Sequence, residues 1–282
     1  MGIVSGSEEM HVNEQLSDAP RDAKALWNAQ AERWVAANRQ DKLTRRRETM
    51  MRFISRHITT GSVLDIGCGD GSLCRELARR GFDVYGCDVS EELVTVARGM
   101  LSDAVSDADD RIRPIADNRI PFDRRFDLVT ILGVLVYIPR HVDYLRQVAQ
   151  HLNPGGLLVA SSTQRISLRT AYDVGRHLRR PAPKNPEWRH GIVNLLRTGT
   201  WSGGFLPVRG SGRTFSAAGL ERAMRTAGFV PLDRFYVYHL EPLDRRPLER
   251  SRPATVLARW LGWRQTLAAR WPATDPGGYS DA

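Results

Sequence analysis

Residues 63–71 read Val-Leu-Asp-Ile-Gly-Cys-Gly-Asp-Gly, an apolar run that enters a glycine-rich turn. The apolar residues predict a buried strand at 62–66, and the periodicity that follows predicts a helix at 73–80, closed by Gly81. Glycines let a ligand approach the backbone closely, and the N-terminus of the following helix presents free N–H groups. The segment therefore predicts a ligand site at the carboxyl end of a buried strand.

The alternation of strand and helix continues along the chain. We predict further elements at these residues: strands 83–87, 112–116, 126–132 and 157–161, and helices 90–101 and 141–152. Such alternation gives a parallel sheet covered by helices on both faces. After an irregular stretch at 163–212, a helix at 216–227 and a strand at 235–240 resume the pattern. The sequence therefore predicts an α/β core with an insertion.

Four aspartates border the predicted turn or follow the strands: Asp65, Asp70, Asp88 and Asp117. Asp88 ends the second strand, where a carboxylate can accept both hydroxyls of a ribose. A dinucleotide turn needs glycine at the position of Ser72, and acids beside a pyrophosphate would repel it. Acids suit a sulfonium and an ammonium group instead, so the pattern predicts S-adenosylmethionine in a partly dry cleft.

On these residues, the chain from about Trp27 to Gly228 resembles the class I S-adenosylmethionine-dependent methyltransferases. More narrowly, it resembles the family that contains the O-methyltransferases of ubiquinone synthesis. The resemblance implies a Rossmann-like, seven-stranded, mostly parallel sheet with helices on both faces, and no metal requirement. It also implies direct in-line methyl transfer from S-adenosylmethionine to a small-molecule hydroxyl or amine, which leaves open an aromatic, quinone-like or secondary-metabolite acceptor.

The resemblance assigns cofactor-binding roles to ten residues: Arg47, Asp65, Gly67, Cys68, Gly69, Asp88, Val89, Asp117, Asn118 and Leu132. The glycines and Leu132 are implied to approach the methionine part, and Asp88 the ribose. Val89 is implied to lie against the adenine, with Asp117 and Asn118 at its amino edge. Arg47 is chosen by spacing to reach the cofactor carboxylate, although Arg45 and Arg46 are near enough to leave that choice open.

The segment 134–139, Val-Leu-Val-Tyr-Ile-Pro, resembles the family's V-L-E-H-x-P but lacks its acid and histidine. No acid or base role can therefore be carried over to Val136 or Tyr137. A hydroxyl acceptor would need a base, and our candidate catalytic residues are His239, His190 and Tyr137. His141 ranks lower because it begins a predicted helix. Trp27 and Trp34 on the opening helix either line the acceptor pocket or pack against the rest of the protein.

The net charge of +9 is concentrated in the second half of the chain. Residues 1–160 carry 21 Lys and Arg against 23 Asp and Glu, whereas residues 161–282 carry 20 against 9. An arginine-rich surface suits an anionic acceptor or a membrane surface that supplies a lipid-soluble one, or it is simply solvated. A nucleic-acid methyltransferase is disfavoured, because Gly-Val-Leu-Val at 133–136 replaces the D/N-P-P-Y/F motif. A cofactor-binding scaffold without turnover is the third alternative.

The predicted organisation has six parts: a flexible tail (1–20), an N-terminal helical cap (21–60), a cofactor-binding core (61–162), a basic lid or acceptor insertion (163–212), the C-terminal part of the core (213–245) and a C-terminal extension (246–282). Within the extension, tryptophans at helical spacing predict a helix over 253–271 that packs on the domain or lies on a membrane. Three cysteines, no secretory signal and no spanning segment predict a cytoplasmic protein, with peripheral membrane contact left open.

Overall fold

The main sheet has seven strands, most of which run parallel to their neighbours. The computed structural model describes residues 23–38, 41–117, 119–163, 200–201, 212–237 and 264–273. The strands of the main sheet are β1 (Ser62–Ile66), β2 (Asp83–Asp88), β3 (Ile112–Pro114), β4 (Phe126–Leu132), β5 (Leu152–Thr163), β8 (Val230–Val237) and β9 (Arg264–Arg270). Their order is β3-β2-β1-β4-β5-β9-β8. The pairings from β3 to β5 are parallel, and the two pairings that involve β9 are antiparallel.

Helices follow the strands in the predicted alternation. They are α1 (Ala31–Asn38), α2 (Asp41–Ile54), α3 (Ser72–Arg79), α4 (Glu91–Leu101), α5 (Ala108–Arg111), α6 (His141–Gln150) and α7 (Ala217–Thr226). Helical residues 23–28 precede α1, and two short strands, β6 (Thr200–Trp201) and β7 (Gly212–Arg213), pair with each other. As predicted, Ser90 caps α4, since its Oγ accepts a hydrogen bond from the Leu93 N–H at 3.2 Å.

Two apolar layers hold the sheet between helices. On one side, called here the α2 face, buried residues of α2, α3 and α4 pack on side chains such as Val63 and Leu128. On the other side, the α6 face, buried residues of α6 and α7 pack on alternate side chains such as Leu64 and Val129. Successive strand residues point to opposite faces, so each central strand is apolar on both sides. The predicted seven-stranded Rossmann-like fold is confirmed.

Strand β5 is longer than predicted, because the Asn-Pro-Gly-Gly turn lies inside it. Phe126 of β4 pairs with Leu152, while Leu128 pairs with Leu157, so several residues of β5 bulge out between two pairs. Gly155 provides the left-handed backbone of this bulge, with a φ of 78°. The helix predicted to reach about Leu152 ends at Gln150, and β5 begins at Leu152.

The predicted helix over 253–271 is wrong where the structure describes it, because residues 264–270 form strand β9. Leu267, Ala268 and Ala269 are all buried, and a strand covered on both faces reads as a continuous apolar run rather than an alternating one. The ring of Trp271 packs on that of Phe229 at a centroid distance of 5.3 Å. A segment assigned to a C-terminal extension thus supplies an inner strand, and the membrane-surface interpretation fails for it. Residues 253–263 lie outside the described part of the chain.

Strand β8 also begins earlier than predicted, at Val230 rather than residue 235. It forms the outer edge of the described sheet, beyond β9. Val230 and Leu232 are exposed there, and Pro231 lies between them. Within the described residues, the structure contains no helix of the length and apolar character that crossing a bilayer requires.

Candidate functional site

The glycine-rich turn lies at the carboxyl end of β1, where the strand order reverses between β2 on one side and β4 on the other. Ligands of open α/β sheets bind at such a reversal. The turn is fixed to β2, because the N–H groups of Gly67 and Cys68 both donate to the Cys87 carbonyl, at 2.7 and 3.1 Å. Gly67 and Gly69 have left-handed φ angles of 74° and 57°. Both glycines are therefore required by the backbone itself.

Side chains from two other segments close over these glycines. A Cβ on Gly67 would lie 2.2 Å from Cγ2 of Val134, and a Cβ on Gly69 would lie 2.9 Å from the indole Nε1 of Trp34. Val134 follows β4, and Trp34 belongs to α1. The turn is thus held between the post-β4 segment and the N-terminal helix, and its glycines let a ligand approach the backbone closely.

Asp88 connects the turn to the start of α4. Its carboxylate accepts hydrogen bonds from the N–H groups of Gly69, at 2.9 Å, and Ser90, at 3.0 Å. Burial raises the pKa of Asp88, while the bonds from backbone N–H groups oppose that shift. A carboxylate has about four acceptor positions, so two remain for hydroxyl groups of a ribose. The predicted position of Asp88 at the end of β2 matches this geometry.

Asp65 lies beneath the turn rather than on its rim. Its side chain points to the α2 face, where Thr130 Oγ1 donates to one carboxylate oxygen at 2.6 Å and Cys74 Sγ lies 3.7 Å from the other. Asp70 likewise turns back to accept a hydrogen bond from the Ser72 N–H. Both residues are 3% exposed. Both carboxylates thus have local hydrogen-bond partners, and the expectation that they line a partly dry cleft for a cationic group stays a prediction.

Burial raises the pKa of Asp65 to about 7. In the unfolded chain this carboxyl ionises near its ordinary value, so the folded state binds the extra proton between about pH 4 and pH 7. The resulting stability is complete below about pH 4 and is lost as the pH rises through 7. We expect the free energy of unfolding to fall over this range by up to about 4 kcal/mol more in the wild type than in Asp65→Asn. Urea unfolding at a series of pH values measures the difference.

The control for this prediction is Asp109→Asn, since the Asp109 side chain is 91% exposed. Its stability profile should run parallel to that of the wild type. Parallel profiles for the wild type and Asp65→Asn would contradict the assignment.

The loop after β3 carries the residues expected at the adenine. Asp117 is exposed and has a φ of 50°, the only left-handed non-glycine residue in the described part of the chain. Such a conformation costs about 1 kcal/mol and is concentrated at functional sites. A bridge between Ala116 and Arg119 closes this tight turn. Val89 is half-buried between Asp88 and Ser90, and Asn118 lies outside the described residues.

The structure also describes three of the remaining predicted cofactor residues. Cys68 is buried within it and has a free thiol. Leu132 ends β4 and packs with the apolar layer of the α2 face. Arg47 is half-buried on α2, and the side chains of Arg45 and Arg46 lie outside the described set. The described residues contain no group of three or more His, Cys, Asp or Glu arranged to hold a metal ion.

Three aromatic rings lie beside the turn. Trp27 contacts Trp34 at a centroid distance of 5.4 Å and Tyr137 at 5.8 Å, both edge to face. This aromatic trio joins the N-terminal helices to the segment after β4. All three side chains are only partly buried. Large apolar rings in this position can exclude water from a reacting group.

The N-terminal segment contributes two further contacts that sequence reasoning missed. Lys24 Nζ lies 2.6 Å from Glu91 Oε1 in the first turn of α4. Asn28 Oδ1 is buried and has no hydrogen-bond partner among the described residues. Buried polar atoms are normally paired, which makes Asn28 a candidate ligand contact. The signal in the sequence was the amide side chain of Asn28, which directly follows Trp27.

Only one of the predicted catalytic residues lies in the described part of the site. Tyr137 belongs to the aromatic trio, in a short 3-10 turn, Leu135–Tyr137. His141 begins α6, and its ring packs on Phe215 at 5.0 Å. His190 and His239 lie outside the described residues. A catalytic role for each of these side chains stays a prediction.

Comparison with protein families covers most of the core. Residues 35–233 match the family described as a methyltransferase domain. The chain is 29% identical over 172 residues to the ubiquinone biosynthesis O-methyltransferase of Xanthomonas euvesicatoria pv. vesicatoria, covering 60% of this chain and 72% of that protein. It is 30% identical over 141 residues to the enzyme of the same name from Xanthomonas campestris pv. campestris, covering 49% and 59%.

Solved structures share the fold at low sequence identity. The magnesium protoporphyrin IX methyltransferase of Synechocystis PCC 6803, crystallised with bound SAH, has a TM-score of 0.58 at 16% identity, covering 90% of this chain and all of that one. The N-methyltransferase NodS of Bradyrhizobium japonicum WM9, in complex with S-adenosyl-L-homocysteine, has a TM-score of 0.53 at 14% identity, covering 87% and 98%. At such identities the similarity shows the shared fold.

Proposed function

Because this chain belongs to the methyltransferase domain family and is an S-adenosylmethionine-dependent methyltransferase, we propose that it methylates a hydroxyl group on a small aromatic or quinone-like molecule. The observation that carries the proposal is the aromatic trio, Trp27, Trp34 and Tyr137, beside the glycine turn. Aromatic side chains recognise planar apolar groups through offset and edge-to-face contacts. The Xanthomonas relatives are named as O-methyltransferases of ubiquinone biosynthesis, which supports an oxygen on a ring as the methylated atom.

The residues around the turn are proposed to bind different parts of S-adenosylmethionine. In our proposal, Asp88 accepts the ribose hydroxyls, and the backbone from Gly67 to Gly69 approaches the methionine part. Asp117, with Asn118, would meet the adenine edge, and Arg47 would meet the carboxylate. When bound, S-adenosylmethionine supplies an activated methyl group on a sulfonium. The protein then has to hold the acceptor in line and keep water out.

A hydroxyl acceptor must lose its proton to become a strong nucleophile. Tyr137, His190 and His239 are the proposed candidates for this base. The Tyr137 side chain contacts Trp27, and this contact supports a position of Tyr137 beside the proposed acceptor. We also propose that the basic insertion, most of which lies outside the described residues, covers an anionic or lipid-soluble acceptor. Neither part of this proposal requires a metal ion.

A transfer assay with deuterated methyl donor tests the function. The purified chain is incubated with phenols, quinols and aromatic amines, and products are identified by their mass shift. We expect label on the oxygen of a phenol or quinol, and much less label with Asp88→Ala at the same donor concentration. Label confined to amines would replace the hydroxyl proposal with N-methylation, and the absence of label from every ring compound would reject an aromatic acceptor.

A further inference from the structure

A row of side chains crosses the carboxyl end of the sheet on the α2 face. Register pairs Leu132 of β4 with Ser161 of β5, Ser161 with Thr266 of β9, and Thr266 with Phe235 of β8. Paired residues of neighbouring strands lie on the same face. The row therefore runs from Leu132, a predicted contact of the methionine part, to Phe235 near the edge of the sheet.

The two middle members of this row are polar, and they are deeply buried. Ser161 is 1% exposed and Thr266 is 0% exposed. Neither hydroxyl oxygen has a hydrogen-bond partner among the described residues. Leaving a buried hydroxyl unpaired costs about 1–3 kcal/mol. Two adjacent hydroxyls in this state need a partner that the described residues do not supply.

The neighbouring polar residues on the opposite face, in contrast, have hydrogen-bond partners. Ser162 and Gln265, next along the same strands, also form a register pair. Gln265 Nε2 donates to the Phe215 carbonyl at 3.0 Å and lies 3.4 Å from Ser162 Oγ. This pair is satisfied internally, as buried polar groups normally are. Of these two neighbouring register pairs, only the one on the face that carries Leu132 has unpaired hydroxyls.

The ends of the row are apolar and packed. Phe235 contacts Phe53 of α2 at a ring distance of 4.6 Å, and Leu132 packs with the same apolar layer. A polar group entering between them would be desolvated and would find only the two hydroxyls as partners in the described row. Hydroxyls both donate and accept, so a hydroxyl or carbonyl oxygen fits them.

We propose that Ser161 and Thr266 are specificity-determining residues that hydrogen-bond a second oxygen of the methyl acceptor. This inference rests on the proposed function, because it takes the methylated oxygen to lie near Leu132. Ser161 is one strand away from Leu132, a spacing of roughly 4.8 Å. The acceptor class is therefore a ring with two oxygen substituents that are not adjacent. A site built to bond an oxygen rejects analogues that lack it, because its polar groups are then left unpaired.

The test compares Ser161→Ala and Thr266→Val with Ser162→Ala as the matched control. The probes are resorcinol, which carries two separated ring hydroxyls, and phenol, which carries one. Saturation-transfer NMR titrations on the full chain loaded with S-adenosylhomocysteine give their affinities. We expect the Kd for resorcinol to rise about fivefold or more in each of the first two variants and to stay unchanged in the control. Phenol should bind all four proteins alike.

Thermal unfolding of the unliganded proteins provides a second readout. Removing an unpaired buried hydroxyl should leave the Tm equal to or above that of the wild type, whereas a hydroxyl with a structural partner would lower it. Calorimetric affinity for S-adenosylhomocysteine should not change, which shows that the variants are folded. Equal resorcinol binding by the wild type and both variants, or no binding by the wild type, would overturn the inference. Resorcinol binding through Ser161, together with no label on any ring compound in the transfer assay, would instead reject the proposed function while leaving the two oxygen contacts in place.

Discussion

Replacing Asp88 by alanine is expected to weaken the binding of S-adenosylhomocysteine at least about 100-fold. The carboxylate accepts hydrogen bonds from the N–H groups of Gly69 and Ser90, and hydrogen bonds to a charged group contribute about 1.5–3 kcal/mol each. Its removal frees the glycine turn from the start of α4 and deletes the proposed ribose acceptor. Isothermal titration calorimetry measures the loss directly.

Two further variants separate binding from folding. Asp88→Asn keeps the volume but can accept fully at only one of its two terminal atoms, so its affinity should fall between those of alanine and the wild type. Asp109→Ala removes an exposed carboxylate that lies 3.7 Å from Arg98, and it should bind as the wild type does. Unchanged affinity in Asp88→Ala would remove this residue from the site.

The second large effect is expected for Gly67→Ala, with a loss of affinity for S-adenosylhomocysteine of roughly 50-fold. A left-handed φ of 74° costs an L-residue about 1–2 kcal/mol. The new Cβ would also lie 2.2 Å from Cγ2 of Val134, so the turn must move away from the post-β4 segment. A displaced turn can no longer let the ligand approach its backbone as closely.

The double variant Gly67→Ala with Val134→Ala divides this effect into its two causes. Removing the Val134 methyl groups relieves the overlap but not the backbone strain, so about half of the lost binding free energy should return. The matched control is Gly99→Ala in α4, where a Cβ meets nothing within 4 Å and should stabilise the helix by about 0.5–1 kcal/mol. Full affinity in the single variant would contradict the role assigned to the turn.

The local signals of the core were strong enough to place most elements correctly. The predicted strands at 62–66 and 126–132 coincide with β1 and β4. Each is a short apolar run bounded by glycine or by charged residues, and each pairs with strands that are also predicted. The glycine turn followed from the same local pattern, because backbone conformation there depends on glycine alone.

The last strand could not be predicted in the same way. Strand β9 pairs with β5, about a hundred residues earlier, and with β8. Its Leu-Ala-Ala centre is compatible with a helix or with a strand buried on both faces, and periodicity cannot separate the two. The tryptophan spacing then favoured the helix, although Trp271 packs on Phe229 beyond the end of the strand.

The direction of side chains in the site could not be predicted from the sequence either. Asp65 and Asp88 are the same residue type near the ends of adjacent strands, and the sequence predicts that both line the cofactor cleft, with Asp88 at the ribose. The structure turns Asp65 toward Thr130 and Cys74 and turns Asp88 toward the glycine turn. Which partners meet a carboxylate depends on the neighbouring strand, whose register the sequence does not reveal.

The position of β9 between β5 and β8 has a consequence for synthesis on the ribosome. Strand β8 emerges first, but its partner in the described sheet is β9, which is translated later. At 5–20 residues per second, adding the residues between 237 and 264 takes about a few seconds. During that interval the edges of β5 and β8 that later pair with β9 are available to other nascent chains. Chaperone dependence in the cell should therefore be concentrated in the interval between the synthesis of β8 and that of β9.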